Sequence, residues 1–572
     1  MNILPKNKNA CKEILAVTGL IMLSMALLIR TFYGMDWTDE AMYLSDAYRL
    51  YQGDMFLAEN WFLAQTSSII LLPFVTLYCS LWGTSGIILF FRILYLIFQM
   101  ALAIRVYFFV KKYFPVPYSH IVAFGSAFTY LFYTKCNIAT LSYNTISLGC
   151  LVYASMLIYM VYQEFGKVRC IGVGILLSLA TLCNPYLAIF YIVVSFGILF
   201  VSNNSWKRIW VYLTIGITFT VMIVLIWTLI NSSLSAILNN LHFILSDPGH
   251  PPKALGDGFV TFFAQFERFG IMEMKRITLL LILSLGWHFL RKKFSTKINV
   301  TVNLLIWIVF LYCIISKCWE TDTQLGTIFL ALIGIETFIL GRSNRYSIFI
   351  VIGFIFAIAT TFASDTGLTG VASSAVVICI VTLPMLAEFL EGQYRQLRDV
   401  HYIRILSSVV IAYIVLMLGT VYISGLNYRF EYVYKESHLK DQIIQIENGP
   451  AKYLYTKRED KEIYDNLYNL IREEIDPDTD SVFISYCGSM LYLFTEARNA
   501  APTAWKINVS SARLEQYYKQ FPNRFPSKVL LIKNTIEPLV GREPNDEGWI
   551  IEQLQERGYN KEDFEFMTIY EK

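Results

Sequence analysis

Long apolar runs separated by short polar gaps make up the first three quarters of the chain. The first run, Ile14 to Ile29, follows several lysines and precedes no small-residue cleavage site, so it predicts an uncleaved signal anchor with a cytoplasmic N-terminus. Gly86 to Val110 predicts a second span. Further spans are predicted at residues 118–134, 143–162, 170–184, 186–202, 209–230, 277–290, 299–316, 325–340, 346–363, 371–390 and 404–423. The pattern therefore indicates about thirteen transmembrane helices.

Lysine and arginine clusters fall at every second gap between these runs, as expected when cytoplasmic loops hold the positive charge. The clusters are Lys111 and Lys112, Lys167 and Arg169, Lys207 and Arg208, Arg291 to Lys297, Arg342 and Arg345, and Arg395 to Arg404. Counting Ser67 to Gly83 as a span would break this alternation, so that segment is predicted to lie at the outer surface. An odd number of spans then places the C-terminal tail outside.

The tail has the pattern of a small α/β domain. Short apolar runs at Ser481 to Tyr486, Lys528 to Ile532 and Phe564 to Tyr570 predict strands, and Lys461 to Glu474 and Gly548 to Arg557 predict helices. The predicted fold class is an α-helical polytopic membrane protein with a small C-terminal α/β extracytoplasmic domain. The predicted boundaries are a membrane domain at 1–424, whose first outer loop is 31–85, and a soluble domain at 425–572.

Composition agrees with the bilayer as the main solvent, because 55% hydrophobic and 16% charged residues exceed what soluble cores require. Nineteen basic and 25 acidic residues follow residue 424, so the membrane part carries the excess of positive charge. Its basic residues sit between apolar runs and form no stripe, which argues against a nucleic-acid partner. The ten cysteines include no CxxC pair and signal neither a zinc site nor a disulfide framework.

The first outer loop holds the most distinctive group of acidic residues. Ala41, Leu44, Tyr48 and Tyr51 follow helical spacing, which predicts a short helix that begins at Asp36 or Thr38 and ends at Gly53. Asp39 and Glu40 fall in its first turn. Backbone N–H groups there favour a carboxylate in one orientation, which suits a base that accepts a proton from an attacking hydroxyl. The same dipole also enriches acids in first turns without any catalytic role.

The stretch from Gly34 to Asn144 resembles the multi-spanning GT-C glycosyltransferases, in particular the branch of the protein O-mannosyltransferases and the lipid A aminoarabinose transferase. The resemblance rests on the Asp39-Glu40 pair, on Tyr43 and Gly53, on a surface segment ending at Gly86, and on the span that begins near Arg92. It implies that Asp39 is the catalytic acid residue, with Glu40 in support. Asn144 stands where the family usually has a second acid, and it cannot act as a base.

The resemblance also implies a polyprenyl-phosphate-sugar lipid as donor and a glycan, lipid or protein hydroxyl as acceptor, at the outer face of what we expect to be a bacterial plasma membrane. A departing lipid phosphate needs cations or N–H donors nearby. Expected substrate-binding residues are Asp36, Tyr43, Arg92, Lys135, Asn144, His250, Lys253 and Lys317. No cofactor is certain, although Asp36, Asp39 and Glu40 together could hold a divalent metal.

Two functions of other classes remain open at this stage. A transporter or flippase of lipid-linked glycans would also need many spans and outer cations, and Glu336 gives a faint signal of an ionisable residue within the membrane. A membrane-anchored sensor or assembly protein would have the tail as its active part. Product formation separates the first of these from an enzyme, and deletion of the tail tests the second.

Overall fold

The computed structural model describes most of the chain and is mainly helical. The described residues are 4–116, 118–200, 206–246, 256–258, 260–261, 264, 271–318, 323–341, 343–363, 368–396, 419–420, 422–423, 425–430, 438–485, 488–505, 510–533 and 547–572.

Fifteen helices of the described N-terminal part form the bundle and its first outer loop. They are α1 (Leu4–Thr31), α2 (Asp39–Tyr51), α3 (Ser68–Trp82), α4 (Ile87–Tyr113), α5 (Ser119–Phe132), α6 (Tyr143–Gln163), α7 (Lys167–Cys183), α8 (Ile189–Phe200), α9 (Trp206–Asn231), α10 (Leu234–Leu245), α11 (Ile271–Leu290), α12 (Thr296–Cys318), α13 (Thr323–Gly341), α14 (Ser347–Ala363) and α15 (Leu368–Gln396). Most coincide with a predicted span. The sequence pattern did not predict α10.

Within the described residues, seven helices are long and apolar enough to cross a bilayer. They are Ala10–Thr31, Leu63–Trp82, Ile87–Tyr113, Tyr143–Gln163, Trp206–Asn231, Asn344–Phe362 and Gly370–Gly392. Six shorter apolar helices accompany them: Ser119–Phe132, Pro185–Gly197, Leu234–Leu245, Arg276–Leu290, Ile298–Phe310 and Gly326–Gly341. A mainly helical chain with seven candidate membrane-spanning helices and a small C-terminal sheet is consistent with the predicted helical membrane protein, while the larger count of about thirteen spans remains a prediction.

Helices α7 and α9 pack with their backbones in contact. A Cβ atom on Gly174 would lie 2.3 Å from the carbonyl oxygen of Leu213, and one on Gly216 would lie 2.2 Å from that of Ile171. Both distances are shorter than real Cβ contacts, so only glycine fits at either position. Lipid gives no hydrophobic drive for helices to associate, and close approach at small residues supplies van der Waals contact instead.

The tail contains a five-stranded sheet in the order β4-β3-β5-β7-β6. Its strands are β3 (Ser481–Ile484), β4 (Arg498–Asn499), β5 (Lys528–Ile532), β6 (Asn560–Asp563) and β7 (Met567–Glu571), and a separate pair consists of β1 (Ile444–Gln445) and β2 (Tyr455–Thr456). β3 pairs in parallel with β4 and β5, whereas β7 pairs antiparallel with β5 and β6.

Four helices complete the tail: α16 (Arg458–Glu474), α17 (Ser489–Thr495), α18 (Ser511–Gln520) and α19 (Gly548–Glu556). The three predicted strands and two predicted helices are confirmed within a few residues. Strand β6 was missed because all four of its residues are exposed and carry no apolar alternation.

The first outer loop and the tail share one hydrophobic core. Trp61 is fully buried there, stacks on Phe243 at 4.2 Å between ring centroids and meets the ring edge of Tyr517. Its backbone N–H donates to Pro502 at 2.7 Å. At the other side of the loop, the N–H of Tyr455 donates to Phe32 at 2.7 Å. Loop and tail therefore lie on the same face of the bundle, which requires an even number of crossings between them.

Helix α3 lies against this shared core, although Leu63–Trp82 is long enough to span. Just before it, the Gln65 amide donates to the carbonyl of Asn60, beside the Trp61 contact with the tail. Just after it, the N–H and hydroxyl groups of Thr84 both donate to Glu496 of the tail at 2.9 Å. The segment after α3 thus contacts the tail directly, and the prediction that this helix lies at the outer surface stays a prediction.

A buried ionic network joins the loop to the tail. Arg524 of the tail contacts the carboxylates of Asp54, at 2.7 Å, and Glu59, while Arg49 holds the other oxygen of Asp54 at 2.7 Å. All four side chains are at most 7% exposed. Two guanidinium groups thus face two carboxylates, so the charges compensate within a site that excludes water.

Removal of Arg524 should detach the tail. Arg524→Gln leaves two buried carboxylates with one partner, and we expect a loss of about 3–5 kcal/mol in the free energy of unfolding. Arg472→Gln is the matched control, because its pair with Glu496 is partly exposed and worth about 1 kcal/mol or less. Thermal unfolding in detergent, together with limited proteolysis of the tail, measures both. Equal effects of the two variants would contradict the network's role.

Asp46 of α2 is a second buried carboxylate in this region. Burial raises its pKa from 3.8 to about 7, against the opposing effects of the Arg49 charge and the Asn60 hydrogen bond. The unfolded chain gives up this proton near pH 4 and the folded protein near pH 7. Stability is therefore lost as the pH rises between these values.

Asp46→Asn should remove that pH dependence. Relative to the unchanged protein, the variant should gain almost no unfolding free energy at pH 4 and about 4 kcal/mol above pH 7. That value corresponds to a pKa shift of about three units at about 1.4 kcal/mol each. Thermal unfolding midpoints of both proteins across pH 4 to 8 test it. Parallel curves for the two proteins would show that Asp46 does not titrate in this way.

Candidate functional site

Asp36 forms the start of α2. Its Oδ1 accepts hydrogen bonds from the N–H and the hydroxyl of Thr38 at 3.0 Å, and its Oδ2 accepts from the N–H of Glu40 at 3.2 Å. The carboxylate thus satisfies N–H groups that a helix start leaves open. At the other end Gly53 has a φ of +91°, which glycine adopts without strain. The predicted bounds of this helix are confirmed.

Glu40 forms a buried ion pair with Arg92 of α4. The Arg92 Nε and Nη2 atoms lie 2.8 and 2.5 Å from the two carboxylate oxygens, and Nη1 donates to the carbonyls of Thr31 and Tyr33. Glu40 is 1% exposed. Glu40 is therefore held as a charged positioning group, and the donors of Arg92 point at protein acceptors instead of at an open phosphate site as the sequence had suggested.

Asp39 is the half-buried acid of this turn. Tyr43 lies one helical turn further on the same face of α2. Its hydroxyl accepts from the Asn144 amide at 3.3 Å, and the Asn144 oxygen accepts from the Lys135 ammonium at 2.9 Å. Three residues singled out from the sequence, Tyr43, Asn144 and Lys135, thus come together, and Asp39 lies one helical turn before Tyr43.

The start of α6 fixes Asn144 in this arrangement. The Ser142 hydroxyl accepts from the N–H of Thr145, and the Thr145 hydroxyl accepts from the N–H of Ser142. This capping box sets the first turn of α6. Tyr143 packs edge-on against Tyr43 at 5.2 Å between ring centroids. The amide of Asn144 is therefore oriented by its own helix as well as by Lys135.

A small polar cavity lies beside Glu40. It has a volume of about 20 Å³ and is lined by Arg30, Thr31, Tyr33, Asp36, Glu40, Arg92, Asn137, Ile138 and Ala139. That is room for roughly one water molecule. A larger cleft of about 540 Å³ shares Tyr33 with it and is lined further by Phe430, His438, Leu439, Lys440, Gln442, Ile443 and Tyr455.

Three predicted substrate-binding residues fall outside the part of the structure that is described. His250 and Lys253 lie outside the described residues. Lys317 belongs to α12, but its side chain lies outside the described part as well. Glu336 of α13 is fully buried in the bundle and accepts a hydrogen bond from the Ser284 hydroxyl.

The three acids of the first loop do not assemble into a metal site. Among the described residues, no group of three or more His, Cys, Asp or Glu side chains is placed to hold a metal ion. Asp36 is turned to backbone N–H groups and Glu40 to Arg92, so their oxygens are already used. The interpretation of Asp36, Asp39 and Glu40 as joint metal ligands was therefore wrong.

Two buried arginines near Glu40 were missed by the sequence analysis. Arg30, at the end of α1, donates from Nε to the carbonyl of Arg429 at 3.1 Å and from Nη1 to that of Tyr33 at 2.8 Å. Arg429, beyond the last predicted span, is 3% exposed and contacts the side chain of Asn137. Burial, together with the smaller effect of the Arg92 charge, lowers the pKa of Arg429 to about 10.

Comparison with known proteins identifies no relative of this chain. No protein-family model matches this chain, and no curated protein matches it. Any functional conclusion therefore rests on the residues and their geometry.

The Glu40–Arg92 pair can be tested by a double-mutant cycle. Glu40→Gln leaves a buried guanidinium without its anion, so we expect a loss of about 3–5 kcal/mol in unfolding free energy. Arg92→Met should cost a similar amount, and the double variant much less than the sum of both. Thermal unfolding in detergent measures the cycle. Strict additivity of the two single effects would show that the groups do not interact.

Proposed function

We propose that the protein is an inverting glycosyltransferase that moves a sugar from a polyprenyl-phosphate donor to an acceptor hydroxyl at the outer membrane face. One observation carries the proposal: the three acids at the start of α2 are used differently. Asp36 caps the helix and Glu40 pairs with Arg92, while Asp39 stays half-buried beside a Tyr43–Asn144–Lys135 hydrogen-bonded series. We assign the role of base to Asp39 because it lies in the first turn of α2, one helical turn from Tyr43 of this series.

In the proposed reaction, the acceptor hydroxyl attacks the anomeric carbon of the donor sugar. Asp39 takes the hydroxyl proton as the new carbon–oxygen bond forms, and the bond between the anomeric carbon and the phosphate oxygen breaks. The electron pair of that bond leaves with polyprenyl phosphate. Attack and departure on opposite sides of the sugar invert the anomeric centre.

The neighbouring residues serve the same reaction. Lys135 supplies a positive charge within reach of the Asn144 and Tyr43 pair, where it favours the charge that develops on the leaving phosphate. Asn144 and Tyr43 offer amide and hydroxyl groups to sugar hydroxyls. Asp39 lies in the first turn of α2, and its carboxylate is the group that takes the proton in this reaction.

We further propose a GT-C-like bundle of about thirteen spans with the first loop and the tail outside. Two observations support this orientation. The basic clusters alternate with neutral or acidic gaps, as cytoplasmic loops do. The first loop and the tail share one core, so an even number of spans separates them. The tail would then form a fixed wall beside the site.

A transporter of lipid-linked glycans is the second candidate, and Glu336 is the observation that favours it. Its carboxylate is fully buried, and one oxygen has no hydrogen-bond partner among the described residues. Ionisable groups within membrane helices often mark ion or substrate paths. Uptake of lipid-linked sugar by sealed vesicles without product formation would favour this candidate over the enzyme.

Asp39→Asn should abolish transfer and leave the fold intact. Because the amide cannot accept the proton, we expect the rate to fall by about a hundredfold to ten-thousandfold. Mass spectrometry of lipid-linked sugars and surface glycans from cells without the protein identifies the donor that accumulates. Transfer by the purified protein in liposomes is then measured with that donor.

The matched control is Asp478→Asn, which makes the same change on the exposed surface of the tail. It should transfer at the rate of the unchanged protein. Near-normal turnover by Asp39→Asn would refute the assignment of the base.

A further inference from the structure

Arg429 differs from the other buried arginines of this region. Arg49, Arg92 and Arg524 each contact a carboxylate. Arg513 lies over the Trp61 ring and donates to three backbone carbonyls. Arg429, at 3% exposure, forms no ion pair with any described residue and donates only to the backbone and side-chain oxygens of Asn137.

Within the described part of the chain, this buried guanidinium has no carboxylate partner. The Nε–H group of Arg429 is buried and has no hydrogen-bond acceptor among the described residues. A buried cation without a partner is unfavourable, and proteins normally pair it or use it to bind a ligand. A guanidinium suits phosphate in particular, because its N–H groups match the spacing of two phosphate oxygens.

The surroundings of Arg429 contain further positive charge and a cleft next to it in the chain. Arg30 donates to the Arg429 carbonyl, and Arg92 is close enough to act on Arg429 electrostatically, so two further guanidinium groups lie nearby. Phe430, the next residue, lines the cleft of about 540 Å³ together with Tyr33, His438 and Lys440. That volume falls in the range of ligand pockets.

We propose that Arg429 binds an anionic phosphate group of a ligand that enters through the cleft between Tyr33, Phe430, His438 and Tyr455. The chemistry fits the headgroup of a lipid monophosphate or a free phosphate. The identification of the lipid as a sugar donor rests on the proposed function, whereas the binding of the anion does not. Arg429 would hold the phosphate from the segment that connects the membrane bundle to the tail.

Binding is measured on the full-length protein in detergent, in the Asp39→Asn background so that no turnover occurs. The probes are polyprenyl monophosphate, the phosphate-free polyprenol and inorganic phosphate, each titrated against the thermal unfolding midpoint. We compare Arg429→Gln, which removes the charge, with Arg429→Lys, which keeps it. Arg395→Gln makes the same change at an exposed residue of α15.

We expect polyprenyl monophosphate, and not polyprenol, to raise the unfolding midpoint. Arg429→Gln should bind it about tenfold to a hundredfold more weakly, Arg429→Lys should be intermediate, and Arg395→Gln should be unchanged. Binding of inorganic phosphate with the same dependence on Arg429 would support the anion site and identify free phosphate as a source. If polyprenyl monophosphate binds and inorganic phosphate does not, the lipid is the source of the phosphate group.

Measurements on the ligand-free protein distinguish phosphate binding by Arg429 from a role of Arg429 in stabilising the fold. Removal of an uncompensated charge should leave the midpoint of Arg429→Gln equal to or above that of the parent. A fall of more than about 5 °C would show that Arg429 stabilises the fold, and the proposal would be overturned. Unchanged affinity of Arg429→Gln for polyprenyl monophosphate would overturn it as well. Because no step requires transfer, these outcomes are independent of whether Asp39 is a catalytic base.

Discussion

The ion pair between Glu40 and Arg92 joins three elements that are far apart in the chain. Arg92 in α4 contacts the first turn of α2 through Glu40 and the end of α1 through the carbonyls of Thr31 and Tyr33. Because both charged groups are buried, each is stable only with the other present. The position of α2 relative to the bundle, and with it the direction of Asp39, therefore depends on this pair.

The shared core of loop and tail constrains the same helix from its other end. Arg49, on the last turns of α2, reaches Asp54, which Arg524 of the tail also contacts. The side chain of Gln52 donates to the carbonyls of Glu496 and Ala497. Helix α2 is thus attached to the bundle at its N-terminus and to the tail at its C-terminus. Such a helix positions a reactive side chain more accurately than a loop open to solvent.

Local patterns in the sequence predicted most of the elements and part of the site. Helical spacing identified α2, and strand-like runs identified β3, β5 and β7, because both signals lie within about ten residues. Tyr43, Lys135 and Asn144 were selected by type and position, and the structure joins them by hydrogen bonds. The ion pair between Glu40 and Arg92 was not predicted, because its partners lie 52 residues apart.

Arg30, Asn137 and Arg429 could not have been selected in this way. Arg429 meets Asn137 and Arg30 across separations of 292 and 399 residues. A single arginine after an apolar run is usually an interfacial anchor, and only the burial of Arg429 distinguishes it from such an anchor. That burial follows from how the end of the bundle meets the tail, which no local periodicity encodes.

The three carboxylates at the start of α2 show why neighbouring acids can differ in chemistry. Asp36 accepts N–H hydrogen bonds at the start of the helix, whereas Glu40 faces the guanidinium of Arg92. Asp39 occupies the same first turn and remains half-buried. Environment, more than residue type, thus distinguishes the three acids, and the proposed reaction assigns proton transfer to Asp39.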